Sequence, residues 1–484
     1  MLLTLVALYL LVTVIIGLMA AKRVRNSADY AVAGRNLPLI MIVTTTFATW
    51  FGSETVMGIP ATFIEDGLGG IVEDPFGAGF CLILVGAFFA AKLYRMSLLT
   101  ISDYYRERYG NGIEVVCSIF ILLSYLGWVS AQVTALGLVF SLVTGGAVSV
   151  PVGMAIGLSI IVIYTLFGGM WSVAVTDFMQ MIILVAGLLA LAWYASDLIG
   201  GVQPALDFVK AQELDNFWPE PSFKDVVFFV SAALTMMLGS IPQQDVFQRV
   251  MSARDERAAT WGPIIGGVLY ILFAFIPIFL VISAMLIMPD QAKALLADDS
   301  QKILPTLIMN HMPFAMQVIF FGALLSAIMS TASATLLAPS VTFNENIWRH
   351  LRPFSHAGDQ LRAMRITVLI FGIAVLIYAI AMQGSSIYEM VSGAYQITLV
   401  GAFTPLVFGL FWKRATTQGA WLAIALGLVV WLGIMGLGLD EDFPAPLCGL
   451  LASMAGMILG SLLPQWLAPK TGEHYELEQS SPTA

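Results

Sequence analysis

Charge is scarce in this 484-residue sequence. Asp, Glu, Lys and Arg together make up 11% of it, against 59% hydrophobic residues, and the mean hydropathy is +0.87. Both values lie far outside the range of soluble domains, so the chain reads as an all-α polytopic membrane protein. Basic clusters outside the loops are missing, which excludes a nucleic-acid partner and leaves the net charge of −9 to acidic loops and tail. Cysteine is sparse too. Cys81, Cys117 and Cys448 stand in apolar runs with no metal-ligand or redox spacing and read as core residues. The four histidines (His311, His350, His356, His474) fall in loops, helix ends or the tail, without an HExxH or GxSxG context. That excludes an intramembrane hydrolase, and the chain is not expected to be an enzyme. The first apolar run, Leu2 to Ala20, lacks a basic lead and a small-residue cleavage site, so it is expected to be a retained helix.

What is present is a series of thirteen apolar spans, near 2–20, 38–63, 71–95, 113–144, 148–167, 172–199, 225–245, 260–288, 313–345, 364–384, 388–411, 417–438 and 445–466. With the first span entering from outside, the inside loops collect all the basic residues except Lys210, Lys224, Lys293 and Lys302. The positive-inside rule then predicts an outside N-terminus, an inside C-terminus and an odd number of spans. The long external loops, 199–224 and 289–312, are expected to be plain connectors or to carry short surface helices. The acidic, Ser- and Pro-containing segment 470–484 is expected to be a disordered cytoplasmic tail.

Two spans break the apolar pattern. The second contains Ala48-Thr49-Trp50-Phe51-Gly52-Ser53-Glu54 and then Gly58 and Pro60; the seventh ends Gly239-Ser240-Ile241-Pro242-Gln243-Gln244-Asp245. In hydrocarbon an unpaired backbone group costs several kcal/mol, so such segments must face protein or a watery cavity. They stand five spans apart, and a repeated five-span unit is necessarily inverted in the membrane. Corresponding discontinuous helices in two inverted halves point to a central binding site.

The run Tyr164-Thr165-Leu166-Phe167-Gly168-Gly169-Met170-Trp171-Ser172-Val173-Ala174-Val175-Thr176-Asp177-Phe178-Met179-Gln180 resembles the signature of the sodium:solute symporters. Ala48-Thr49-Trp50 with Gly52, Ile241-Pro242 with Phe247-Gln248-Arg249-Val250, and Ser326-Ala327-Ile328-Met329-Ser330-Thr331-Ala332 join it. Together they look most like the high-affinity choline transporter branch. The resemblance implies a LeuT-like five-plus-five inverted repeat with one extra helix before and two after. The implied organisation is an N-terminal helix and loop over 1–37, a transporter core over 38–411, two further helices over 412–469 and the tail.

Ala327, Ser330 and Thr331 lie at i, i+3 and i+4, one face of a helix. From spacing alone, bonds to the helix's own carbonyls are the commoner use of such hydroxyls. The resemblance instead assigns a sodium site to the carbonyls of Ala48, Phe51 and Ala327 and the hydroxyls of Ser330 and Thr331. Asp177, an acidic residue within a membrane span, has two open readings: a second ion site, as the matching aspartate of some relatives implies, or a cap near its helix start.

For the solute, an ammonium ion is recognised by aromatic faces, at roughly 0.5–2 kcal/mol per contact. Trp50 and Trp128 match two such positions of the choline branch. At a third, Gln243 replaces a tryptophan, which leaves the aromatic cage incomplete. Glu54 stands where that branch has a small residue, and Glu73 and Asp74 add further acid. A buried carboxylate needs a partner, and a cationic ligand, sodium or a proton would serve. Asp74, and to a lesser degree Glu73, also fits a solvated helix start at the external mouth.

The expected function is sodium-coupled import of a small organic solute, cationic and choline-like or another amine, by alternating access, with the bilayer as its surroundings. A symporter of zwitterionic or neutral solutes (proline, another amino acid, a sugar) and a non-transporting membrane sensor are the alternatives. The expected location is a plasma membrane, as in a bacterial inner membrane. Oligomeric state stays open.

Overall fold

The computed structural model describes residues 1–352 and 356–467; the expected tail at 470–484 lies outside them. Regular structure among the described residues is helical throughout. Ten of these helices are long and apolar enough to cross a membrane, and the bent pair Phe223–Gly239 and Gln244–Ser252, meeting at 45°, makes an eleventh span. The 50-residue helix Val150–Ile199 contains a further crossing, because its backbone turns at Gly169 (φ 49°, ψ −143°). Glycine is required there: a Cβ would stand 2.4 Å from the Tyr30 carbonyl oxygen. Leu39–Trp50, continued beyond a break as Ile59–Gly70, supplies the remaining span. The thirteen-span reading is recovered in this way, with the second span extending to residue 70 and the seventh to 252.

The breaks follow from local sequence. Leu39–Trp50 ends where Phe51 leaves helical dihedrals (φ −88°, ψ 72°) next to Gly52. Helix resumes at Glu54, with a π-type turn over Glu54–Gly58 just before Pro60, which has no N–H to donate to the turn behind it. In the seventh span, Gly239 ends one half, and Pro242 precedes the extended Gln243 (φ −75°, ψ 140°), where the other half begins.

The two broken spans are tied together. Leu37 N donates to the Ser252 carbonyl at 3.0 Å, and Arg254 N donates to the Leu37 carbonyl at 2.9 Å. Arg249, which charge asymmetry assigned to an inside loop, is instead a buried side chain of Gln244–Ser252. Its guanidinium donates to the Asp245 carbonyl at 2.9 Å and to Thr49 Oγ1 at 2.7 Å. A basic residue can be held inside the bundle when the broken helices offer it oxygens.

Phe314–Phe343 runs through the centre, packed against Leu39–Trp50, Asn111–Val143 and Val150–Ile199. The two last spans, Thr417–Gly436 and Ala445–Leu462, pack chiefly on each other. The long loops 199–224 and 289–312 do carry helices, Gln203–Ala211, Pro289–Asp298 and Ile303–His311. Leu68 N and Gly69 N donate to the carbonyls of Leu214 and Asn216, at 2.8 and 3.0 Å, so the first of these loops closes over the end of the second span.

Candidate solute and sodium sites

Beyond the break at Phe51 the chain places Glu54 inside the bundle, 2% exposed. Its Oε1 accepts from Trp128 Nε1 at 3.0 Å and its Oε2 from Gln132 Nε2 at 2.6 Å. Trp128 and Gln132 are one helical turn apart on Asn111–Val143. The Gln132 carbonyl oxygen accepts in turn from Ser53 N at 2.9 Å. Trp50 Nε1 donates to Asp245 Oδ2 at 3.1 Å, and Tyr125 donates its hydroxyl to Asp245 Oδ1 at 2.6 Å. Both indoles are thus oriented by carboxylates, one from each broken span.

Their rings meet edge to face. Trp50 and Trp128 lie 5.6 Å apart, centroid to centroid, at 66°. Tyr395, from Ile387–Thr398, stacks on Trp50 at 6.1 Å and lies 5.6 Å from Trp128. Tyr125 stacks on Trp128 at 6.1 Å. Tyr125 and Tyr395 thus add two rings to the cluster around Trp50 and Trp128, next to Gln243. Gln243 hydrogen-bonds to Ser124 at 2.9 Å and to Thr398 at 3.4 Å, each next to or one turn from a cage tyrosine.

Glu73 and Asp74 extend this region. Asp74 is 1% exposed and accepts from the Tyr270 hydroxyl at 2.5 Å, which overturns the reading of Asp74 as a solvated helix start. Burial by Tyr270, on a distant span, is the reason. Glu73 accepts from Ser392 Oγ at 2.7 Å through Oε2, while its buried Oε1 has no partner among the described residues.

The expected sodium ligands lie on the other side of the break. Thr331 Oγ1 stands 3.5 Å from the Ala48 carbonyl oxygen. Ser330 Oγ donates to Asp177 Oδ1 at 2.6 Å, and Thr45 Oγ1 donates to Oδ2 of the same carboxylate. Ala327 is buried one turn before Thr331 on the same face, and Phe51 sits at the break itself. Asp177 does not cap its helix. It lies two turns past the bend at Gly169, fully buried, and bridges the second and ninth spans.

Residues 30–427 match the model of the sodium:solute symporter family. The chain belongs to that family. The symporter is 28% identical to the human high affinity choline transporter 1 over 452 residues, 88% of this chain and 75% of that protein. The corresponding *Caenorhabditis elegans* transporter is 26% identical over 450 residues, covering 88% and 76% of the two chains. A zebrafish sodium/glucose cotransporter 4 is 23% identical over 92% of the symporter and 72% of that chain. Among solved structures, a Na+-coupled sialic acid symporter in its outward-open state superposes with a TM-score of 0.83 over 97% of this chain and 98% of that one, at 20% identity. MhsT in complex with L-phenylalanine superposes with a TM-score of 0.55 over 87% and 99% of the two chains, at 15% identity. The fold is the LeuT-like inverted repeat, and the symporter is a multi-pass membrane transporter, not an enzyme, with Na+ as its coupling ion and a small organic solute as its cargo.

Trp50, Glu54, Glu73, Trp128 and Gln243 are the solute positions expected from the sequence; Tyr395, Tyr125, Asp245, Gln132 and Tyr270 lie beside them without being expected. One signal was available. Gln132 follows Trp128 by four residues and so shares its helix face. Tyr395 and Tyr270 stand in apolar spans with no local mark separating them from packing residues.

Proposed function

We propose that the symporter imports a small organic cation of the choline type or a related amine, coupled to sodium. The observation that carries this reading is the cage of Trp50, Trp128, Tyr125 and Tyr395, whose two indole N–H groups are held by Glu54 and Asp245. A cation over an aromatic face gains up to about 2 kcal/mol or more when desolvated, and the neighbouring carboxylates compensate its charge. The likeness to choline transporters supports the same reading.

Sodium, in this proposal, binds between the second and ninth spans through the carbonyls of Ala48, Phe51 and Ala327 and the hydroxyls of Ser330 and Thr331. Asp177 orients Ser330 and contributes to a second ion site. Glu73 and Gln243 border the solute region. The core spans 38–411, flanked by 1–37 and 412–469, with the N-terminus outside and the C-terminus cytoplasmic. Ala48 and Trp50 belong to one half-helix, so an ion that fixes the break also fixes a face of the cage. Each ligand then favours the state that the other needs, and linkage makes the effect reciprocal.

The test is a thermal-shift screen of choline, betaine, amino acids and sugars, each with sodium and with potassium. Sodium-dependent stabilisation by choline-like cations is expected. Stabilisation by neutral or zwitterionic solutes alone would overturn the cationic reading.

A further inference from the structure

Three carboxylates, those of Glu54, Glu73 and Asp74, are buried in one region, and none forms an ion pair with a side chain among the described residues. Their donors are neutral: Trp128, Gln132, Tyr270 and Ser392. Covalent and hydrogen-bonded links run from one to the next. Thr55, adjacent to Glu54, lies 3.0 Å from the Tyr270 hydroxyl, which donates to Asp74 at 2.5 Å. Glu73 follows along the chain and accepts from Ser392. Ser392 is three residues before Tyr395, on the same helix face, so the link returns to the cage.

Two buried polar atoms in this circuit are unpartnered. One is Glu73 Oε1, in a residue 8% exposed; the other is the Tyr395 hydroxyl oxygen, in a residue 1% exposed. A buried carboxylate oxygen without a partner is costly unless a ligand completes it. A single ammonium in the cage answers Glu54 but leaves the pair at 73 and 74 uncompensated.

Building on the cationic reading, we infer that the solute region has a second ammonium subsite, formed by Glu73 and Asp74 with Ser392 and Tyr270, and that the symporter takes short α,ω-diamines. One ammonium sits against the faces of Trp50, Trp128 and Tyr395 near Glu54. The other donates to the free Glu73 Oε1. Ser392 and Tyr395 lie about one turn apart on one helix, so the two subsites are neighbours.

The test uses the purified full chain in sodium buffer, with 1,4-diaminobutane, butylamine and choline as probes competing in one binding assay. Wild-type protein is expected to bind the diamine about tenfold more tightly than butylamine, the gain of one further charge-assisted contact. Glu73→Gln is expected to bring the diamine down to the affinity of butylamine in the same variant, and a Tm close to that of wild type shows that the variant is folded. Equal affinity of wild-type protein for diamine and butylamine would overturn the second subsite while leaving the cationic reading intact. Failure of all three amines to bind would overturn both. Retention of the diamine advantage in Glu73→Gln would remove Glu73 from the subsite and contradict the inference.

Discussion

Trp128 donates its indole N–H to Glu54 at 3.0 Å, and this bond stands within a few ångströms of the expected sodium hydroxyl. A Cβ at Gly52 would meet Glu54 Oε2 at 2.5 Å, Thr331 Oγ1 at 2.7 Å and the Gln132 carbonyl oxygen at 2.8 Å. Three oxygens from three spans therefore converge on Gly52, at the break. Replacing Glu54 by Gln removes a charge while keeping the shape. The expected result is a loss of amine affinity by about tenfold, the scale of one charged hydrogen bond, measured by competition binding at saturating sodium.

Tyr395 separates ring from hydroxyl. If its face recognises an ammonium, Tyr395→Phe should bind choline nearly as well as wild type. Tyr395→Leu should lose about two- to thirtyfold, the range of one cation–π contact. Equal losses in both variants would assign the effect to the hydroxyl instead.

The ion site should respond separately from the cage. Thr331→Ala is expected to raise the sodium concentration for half-maximal uptake several-fold, with a smaller change in amine affinity at saturating sodium. Asp177→Asn offers one acceptor where Ser330 and Thr45 need two. It should raise the sodium requirement and also lower stability by about 1–3 kcal/mol, the cost of an unsatisfied buried group, read as a fall in Tm.

A structural network away from both sites provides a contrast. Arg106 pairs with Asp103 and Glu114, each at 2.9 Å, and Asn346 donates to both carboxylates at 3.0 and 2.8 Å. His350 lies 2.8 Å from the second oxygen of Glu114. Arg106→Ala leaves two buried carboxylates short of a cation, so a destabilisation of about 3 kcal/mol is expected. The amine selectivity of the remaining folded protein should be unchanged.

The span pattern and the two breaks were readable because hydropathy and interrupting Gly and Pro residues are local properties. Trp50 and Glu54 were readable for the same reason, as polar or amphipathic groups within a broken helix. Asp74 was misplaced because its burial depends on Tyr270, 196 residues away in sequence. Arg249 was misplaced because a basic residue counts as a loop marker until the oxygens of Thr49 and Asp245 are seen around it. Tyr395 was missed because nothing local distinguishes a cage ring from a packing ring. Its proposed role rests on the approach of Trp50 and Trp128, from two other spans, at 6.1 and 5.6 Å.

The central claim is that one broken helix joins a sodium site to an amine cage, and uptake into proteoliposomes tests it most directly. Labelled choline or 1,4-diaminobutane should accumulate only under an inward sodium gradient, with the sodium requirement raised by Thr331→Ala and amine affinity lowered by Trp50→Ala. Undiminished accumulation with sodium replaced by potassium, and with no proton gradient, would contradict it.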